Sequence, residues 1–350
     1  MRVLHLTRDF PPRVNGGISR AVEGIVKSTR ARGLEIAVLS FDAWRPKASA
    51  TASSVHAQDG ILRLRGPADL EAAQRFVEAF DPDVEHVHSS LIADAVEVRA
   101  PRVFSVHVCQ AVQRRLRGLA APTQSELAQA RLLESADAII APSRSARDDL
   151  LGERAEARIS VIGLGVNAPT PSPKMAPPTE LLYVGRLADI KGTRELFEAM
   201  RRVDGELVVA GGLPDNQKAE RRWRKRAPDN VTFVGWLDAE ALSERYRRAR
   251  TVIAPSWYET YGLAVAEAMS HGVPPIVADA GALPERVVHE QSGLIVCPRD
   301  PEELLAAIGR MQCDDALRDQ LARGAARASE EWRWEASADA WLDVYASVLR

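Results

Sequence analysis

Twice along this chain, short apolar runs rich in β-branched residues alternate with longer segments of helical period, and no other feature constrains the fold as strongly. Such runs read as strands buried on both faces, with helices as the crossovers, which makes parallel sheets of the α/β class. The first half places strands at residues 3–6, 36–39, 84–88, 103–107 and 138–141, with a helical stretch at 18–32. The second half repeats the plan at 181–184, 207–210, 231–234, 252–254, 275–277 and 294–296. Between the halves, residues 168–178 carry five prolines, which exclude helix or central strand and favour an extended linker. A chain of 350 residues exceeds one ordinary domain. The expectation is therefore two doubly wound, Rossmann-like domains, 1–167 and 179–332, joined by that linker. A last helix over 334–349 has apolar residues near helical spacing at Trp334, Ala338, Trp341, Leu342, Tyr345 and Val348, a face that needs a partner.

Composition removes several classes of function. Hydrophobic residues make up 46% and charged residues 27%, and no run approaches the roughly 18–20 apolar residues of a membrane span. Met1-Arg2 leads directly into the apolar run Val3-Leu4-His5-Leu6, read as a first strand and not a signal segment, so a cytosolic location is expected. Cys109, Cys297 and Cys313 form no CxxC pair, which argues against a disulfide framework and against zinc. A net charge of −2 gives no basis for nucleic-acid binding. The run Arg221-Arg222-Trp223-Arg224-Lys225-Arg226 reads as an exposed basic helix face, with an anionic membrane as the alternative contact. His86 and His88 alternate on one strand and read as structural residues, a metal pair being the competing reading. Asp81-Pro82-Asp83 reads as a turn that stops a helix.

Three segments carry chemistry. In residues 255–269 a strand end gives way to a loop with Glu259 and then to a helix that starts near Gly262 and contains Glu267. Free amides and the positive dipole end at such a helix start suit a pyrophosphate, and two carboxylates can hold different hydroxyls of one ligand. In residues 181–192, Arg186 stands at a strand end and Lys191 just before the next helix, two cations at the carboxyl edge of a sheet, where open α/β folds bind ligands. Such cations can neutralise a departing diphosphate without a metal. Asn15-Gly16-Gly17, after the first strand, allows close approach of backbone to a phosphate or sugar.

These segments, the E-x7-E pair, the Gly185-Arg186-Leu187-(x)3-Lys191-Gly192 run, the Gly16-Gly17 loop and Gly165-Val166-Asn167, resemble family 4 of the retaining glycosyltransferases, over nearly the whole chain. The resemblance implies the GT-B fold, with a donor cleft between the two domains, the acceptor on the first and the donor on the second. It implies transfer of a sugar from a nucleotide diphosphate donor, of the UDP- or GDP-sugar type, to a hydroxyl, with retention and with neither metal nor cofactor. Arg186 and Lys191 would bind the diphosphate, Glu267 the ribose and Glu259 the sugar hydroxyls. The segment Thr260, Tyr261, Gly262 and Leu263 would contact sugar and phosphate, with Gly185 at the turn and Gly235-Trp236 beside the base. His107 matches the family's cleft histidine, near C6 of the sugar, and the last helix, residues 333–350, would cross back onto the first domain. Thr260 and Val108-Cys109 stand where the family often has Gly, and Asp or Gly, so the donor sugar is left open.

Other readings stay open at this level. A phosphorylase or epimerase of the same fold, or a protein that binds a nucleotide sugar without turning it over, uses the same cations. A Rossmann dehydrogenase needs G-x-G-x-x-G after the first strand, which is not present.

Overall fold

The computed structural model describes residues 1–12, 16–41, 57–151, 159–169, 178–213 and 216–350. Most of the proline-rich stretch, and Asn15, lie outside the described residues. The chain divides into two compact units, Met1–Gly165 with Trp334–Arg350, and Val166–Arg333.

The first unit holds β1 (Arg2–Thr7), β2 (Glu35–Ser40), β3 (Ile61–Arg63), β4 (Val84–Val87), β5 (Arg102–Ser105), β6 (Ala138–Ala141) and β7 (Ile159–Val161). They form one parallel sheet in the order β3-β2-β1-β4-β5-β6-β7. Every residue of β4 is buried, as a strand covered on both faces requires. Leu4 and Leu6 pack on one face with Leu39, Leu62 and Val77, so the intervening His5 points to the opposite face. β3 and β7 were not expected, and β5 stops at Ser105, not at His107. His107 sits in the bend beyond it.

The C-terminal helix Trp334–Val348 covers that opposite face. Trp341 and Tyr345 are fully buried, and the Tyr345 hydroxyl meets His86 Nδ1 at 2.7 Å. Each ring hides roughly 200 Å², about 5 kcal/mol of gross burial. The Trp334 ring fits because Gly24, in the first helix Gly17–Arg30, has no Cβ; one there would fall 2.0 Å from the ring. Arg32 Nε pairs with Asp339 at 2.7 Å. At the far end of β1, Asp81 closes the helix Leu70–Phe80 with φ 46°, and Arg2 binds Asp81 and Asp83.

The second unit holds β8 (Glu180–Gly185), β9 (Leu207–Gly211), β10 (Val231–Gly235), β11 (Ala249–Ala254), β12 (Pro275–Ala278) and β13 (Leu294–Val296). The sheet is parallel, in the order β10-β9-β8-β11-β12-β13. Its strands alternate between two cores: Leu181, Tyr183, Leu207 and Val209 face one, and Leu182, Val208, Ala210 and Tyr246 the other. Strand order reverses between β8 and β11, a topological switch point at whose carboxyl edge ligands bind in such sheets. The basic run falls on the helix Gln217–Arg224, whose Trp223 is buried while Arg224 lies over Phe233. Among the described residues no helix is long and apolar enough to cross a membrane.

Candidate active site

The two loops that leave the switch point are fastened together. β8 ends at Gly185, where Tyr183 Oη donates to the Arg186 carbonyl at 2.6 Å. Burial pushes the Tyr183 hydroxyl far above its ordinary value, so it stays a donor. Gly211 lets the neighbouring loop come close, since a Cβ there would sit 2.1 Å from the Gly185 carbonyl oxygen. Arg186 is exposed and makes no side-chain hydrogen bond or ion pair among the described residues. A short 3-10 turn, Asp189–Lys191, follows, and Gly192 closes it with φ 66°.

Gly192 is where the loops touch. A Cβ there would lie 2.0 Å from the Pro255 carbonyl oxygen at the end of β11, and the Trp257 amide donates to the Ile190 carbonyl at 2.9 Å. Across this seam Lys191 Nζ meets Glu259 Oε1 at 2.5 Å, with both side chains about one-fifth exposed. Ser256 Oγ donates to the same carboxylate oxygen at 3.2 Å. Trp257 braces the loop from outside: its Nε1 donates to Glu195 at 3.2 Å, and the Arg299 guanidinium stacks 4.0 Å from its ring centre.

The helix Leu263–Ser270 begins beside Glu259. Its N-cap is Gly262, with φ 84°, which has no side chain to cap the first amides, an arrangement that suits an anion. Thr260 is half-buried, as is Leu263, whereas Tyr261 is buried under the Arg286 guanidinium, 4.4 Å from its ring centre. Glu267, further along the helix, accepts from Tyr246 Oη at 3.0 Å. At the end of β10, Gly235 has φ 74° with open space around it, and the next residue, Trp236, has a buried Nε1 without a hydrogen-bond partner among the described residues. That donor can serve a ligand.

The comparisons with known proteins fit this layout. The family "Glycosyltransferase Family 4" matches residues 15–168, and "Glycosyl transferases group 1" matches residues 169–328. Glycogen synthase of Mycobacterium tuberculosis is 28% identical, over 100% of this chain and 95% of its own length. D-inositol 3-phosphate glycosyltransferase of Xylanimonas cellulosilytica is 28% identical, over 96% and 92%. Sucrose-phosphate synthase from Thermosynechococcus elongatus superposes with a TM-score of 0.79 at 23% identity, over 99% of each chain. HepE of Anabaena, solved in complex with UDP-glucose, gives 0.78 at 19% identity, over 99% of this chain and 100% of its own. The chain is a glycosyltransferase of the GT-B fold.

Within the transferase, the second unit brings Gly185, Lys191, Glu259, Thr260, Gly262 and Leu263 to neighbouring loops at one sheet edge, and Glu267 one turn into the adjoining helix. Gly16, Gly17 and His107 belong to the first unit. Gly16 is the N-cap of Gly17–Arg30, again without a side-chain cap. His107 Nε2 lies 3.0 Å from His88 Nδ1, and burial pushes its imidazole down to about 4. His86 and His88 are buried and hydrogen-bonded, His86 between Tyr345 and Ser105. Sequence reasoning gave no role to Ser256 or Trp257, though both lie in the segment 255–269, nor to Tyr246, which lies outside every motif; all three support the expected site residues. It also missed His5, whose only signal was its place in the first strand.

Proposed function

We propose that the transferase is a retaining enzyme of family 4 that uses a nucleoside diphosphate sugar as donor and a hydroxyl as acceptor, without a divalent metal. The observation that carries this reading is the Lys191 ammonium beside Glu259 at the sheet's switch point, next to the uncapped start of Leu263–Ser270. A cation and a helix amino end are the two elements that stabilise negative charge growing on a leaving diphosphate. Arg186, exposed and without a side-chain partner among the described residues, is the second cation. With donor bound, Lys191 turns from Glu259 to phosphate, and Glu259 turns to the sugar hydroxyls. Glu267, steadied by Tyr246, takes the ribose, and Trp236 Nε1 and Gly235 the base edge.

The reaction follows from this charge arrangement. The acceptor oxygen bonds to the anomeric carbon from the face the leaving group departs, the bond from that carbon to the diphosphate oxygen breaks, and the acceptor proton passes to that departing oxygen. The products are the glycoside and a nucleoside diphosphate, with anomeric configuration kept. We assign the first unit to the acceptor and the second to the donor, and read Gly16, Gly17 and His107 as residues that contact a sugar.

The test is the release of nucleoside diphosphate from UDP-, GDP- and ADP-glucose with glucans and inositol phosphates as acceptors, chosen from what the relatives' names say they act on or make. Transfer predicts release that depends on acceptor, with the product anomer matching the donor by NMR. Lys191→Ala and Arg186→Ala should each lower kcat by on the order of 10², the scale for losing a preorganised charge. Release that needs no acceptor, or variants that turn over like wild type, contradicts the proposal.

A further inference from the structure

The loop after β13 holds an arginine in a backbone conformation that disfavours it. Arg299 has φ 65°, in the left-handed region where a Cβ crowds the backbone and where glycine stands freely. The chain on either side fixes it there. The Cys297 amide donates to Glu303 at 2.8 Å, and Asp300 Oδ1 accepts from the Glu302 and Glu303 amides at 2.9 and 3.0 Å. Glycine would take this turn without strain; what arginine adds is its side chain.

Among the described residues that side chain makes no hydrogen bond or ion pair, and its guanidinium lies 4.0 Å from the ring centre of Trp257. The contact is not a local one. β12 stands between β13 and β11, so the loop after β13 reaches past one strand to meet the loop after β11. Trp257 is also the residue that ties the two loops of the site together. Its amide donates to Ile190 in the Lys191 turn at 2.9 Å, and its Nε1 donates at 3.2 Å to Glu195 in the next helix, Thr193–Met200. Glu259 follows two residues later in the same loop.

Trp257 is half-buried, and a cation over the face of such an indole is drawn to the ring's electrons. We propose that Arg299 is a positioning residue: its guanidinium holds Trp257 in place, and through Trp257 it keeps Glu259 beside Lys191. This deepens, and rests on, the assignment of Lys191 and Glu259 to the donor. Arg299 acts through the indole and does not itself touch the ligand. The strained turn and the stack belong together, because the same arginine that makes the contact is the residue that bears the strain. Were Arg299 only a surface residue, its removal would relax the turn and leave the loop at residue 257 as it was.

Arg299→Gly relieves the backbone and removes the cation in one substitution, so its urea midpoint should equal or exceed that of wild type while the seam loosens. Hydrogen exchange of the full chain, read by mass spectrometry on peptides spanning residues 255–262, follows the seam because the Trp257 amide has its acceptor, Ile190, on the other loop. Exchange there should quicken about fivefold in Arg299→Gly, the worth of one such stack, and stay near wild type in Arg299→Lys, which keeps a cation. In a Trp257→Leu background Arg299→Gly should add nothing. Unchanged exchange in Arg299→Gly, a lowered midpoint, Arg299→Lys as fast as Arg299→Gly, or an effect that persists without the indole overturns the proposal. Should Trp257→Leu fail to fold, the glycine and lysine variants still decide. Titration of UDP-, GDP- and ADP-glucose completes the test, with about fivefold weaker binding expected in Arg299→Gly for whichever of them binds wild type. If exchange quickens but that affinity holds, the clamp stands and the assignment of Lys191 and Glu259 to the donor fails.

Discussion

Replacing Gly192 by alanine should damage both stability and turnover, because this glycine sits at the seam that joins the Lys191 turn to the Glu259 loop. Its φ of 66° costs an alanine roughly 1–2 kcal/mol by itself. The new Cβ would also fall 2.0 Å from the Pro255 carbonyl oxygen and 2.6 Å from its carbon, both backbone atoms that cannot rotate away. The loops must part by on the order of 1 Å, an overpacking cost of about 1–3 kcal/mol. The same displacement pulls Lys191 from Glu259 and can lower kcat about 10²-fold. Gly118→Ala is the control: its φ is also 66°, but among the described residues nothing lies within 4 Å of the new Cβ. It should show the conformational cost alone, with normal turnover. Urea unfolding and initial rates at saturating donor measure both variants side by side. If Gly192→Ala unfolds and turns over no worse than Gly118→Ala, the tight seam is not what positions Lys191.

Two further outcomes follow from the first unit. Trp341→Ala removes a ring that is 1% exposed and should cost about 3–5 kcal/mol in urea unfolding, while Asp339→Ala, which loses a solvent-screened pair with Arg32, should leave the unfolding midpoint almost unchanged. Acidification should weaken the fold: His5 at about 3 and His107 at about 4 stay neutral in the folded chain while unfolded histidine at 6.5 takes up protons. The unfolded state then binds more protons, so stability falls as pH drops through 6.5, by about 2 kcal/mol for each ring at pH 5. His86 and His88 act in the same direction. His107→Asn should reduce that slope, and a flat profile between pH 8 and pH 5 contradicts the neutral assignment.

Much of this architecture was legible because strands buried on both faces must be continuous apolar runs. All six strands of the second sheet appear where residues such as Leu181, Val252 and Ile276 place them. β3 and β7 were not legible, since three residues such as Ile61-Leu62-Arg63 are too few to show a period and lie at sheet edges. Lys191 and Glu259 each stood out within a local segment. Their contact did not, because it depends on β8 lying beside β11, a fact of strand order 68 residues removed from local pattern. His5 failed for the same reason, as only the register between β1 and β4 sets it against His86 and within reach of His88.

The central claim is that the protein's own cations and a helix amino end hold the diphosphate. Isothermal titration of UDP, with GDP and ADP in parallel, into the protein in excess EDTA addresses it directly. The account predicts saturable binding of at least one of the three, weakened tenfold or more by Lys191→Ala, the cost of a lost charge-assisted hydrogen bond. Binding that is absent in EDTA and returns with magnesium or manganese, or that Lys191→Ala leaves intact, contradicts it.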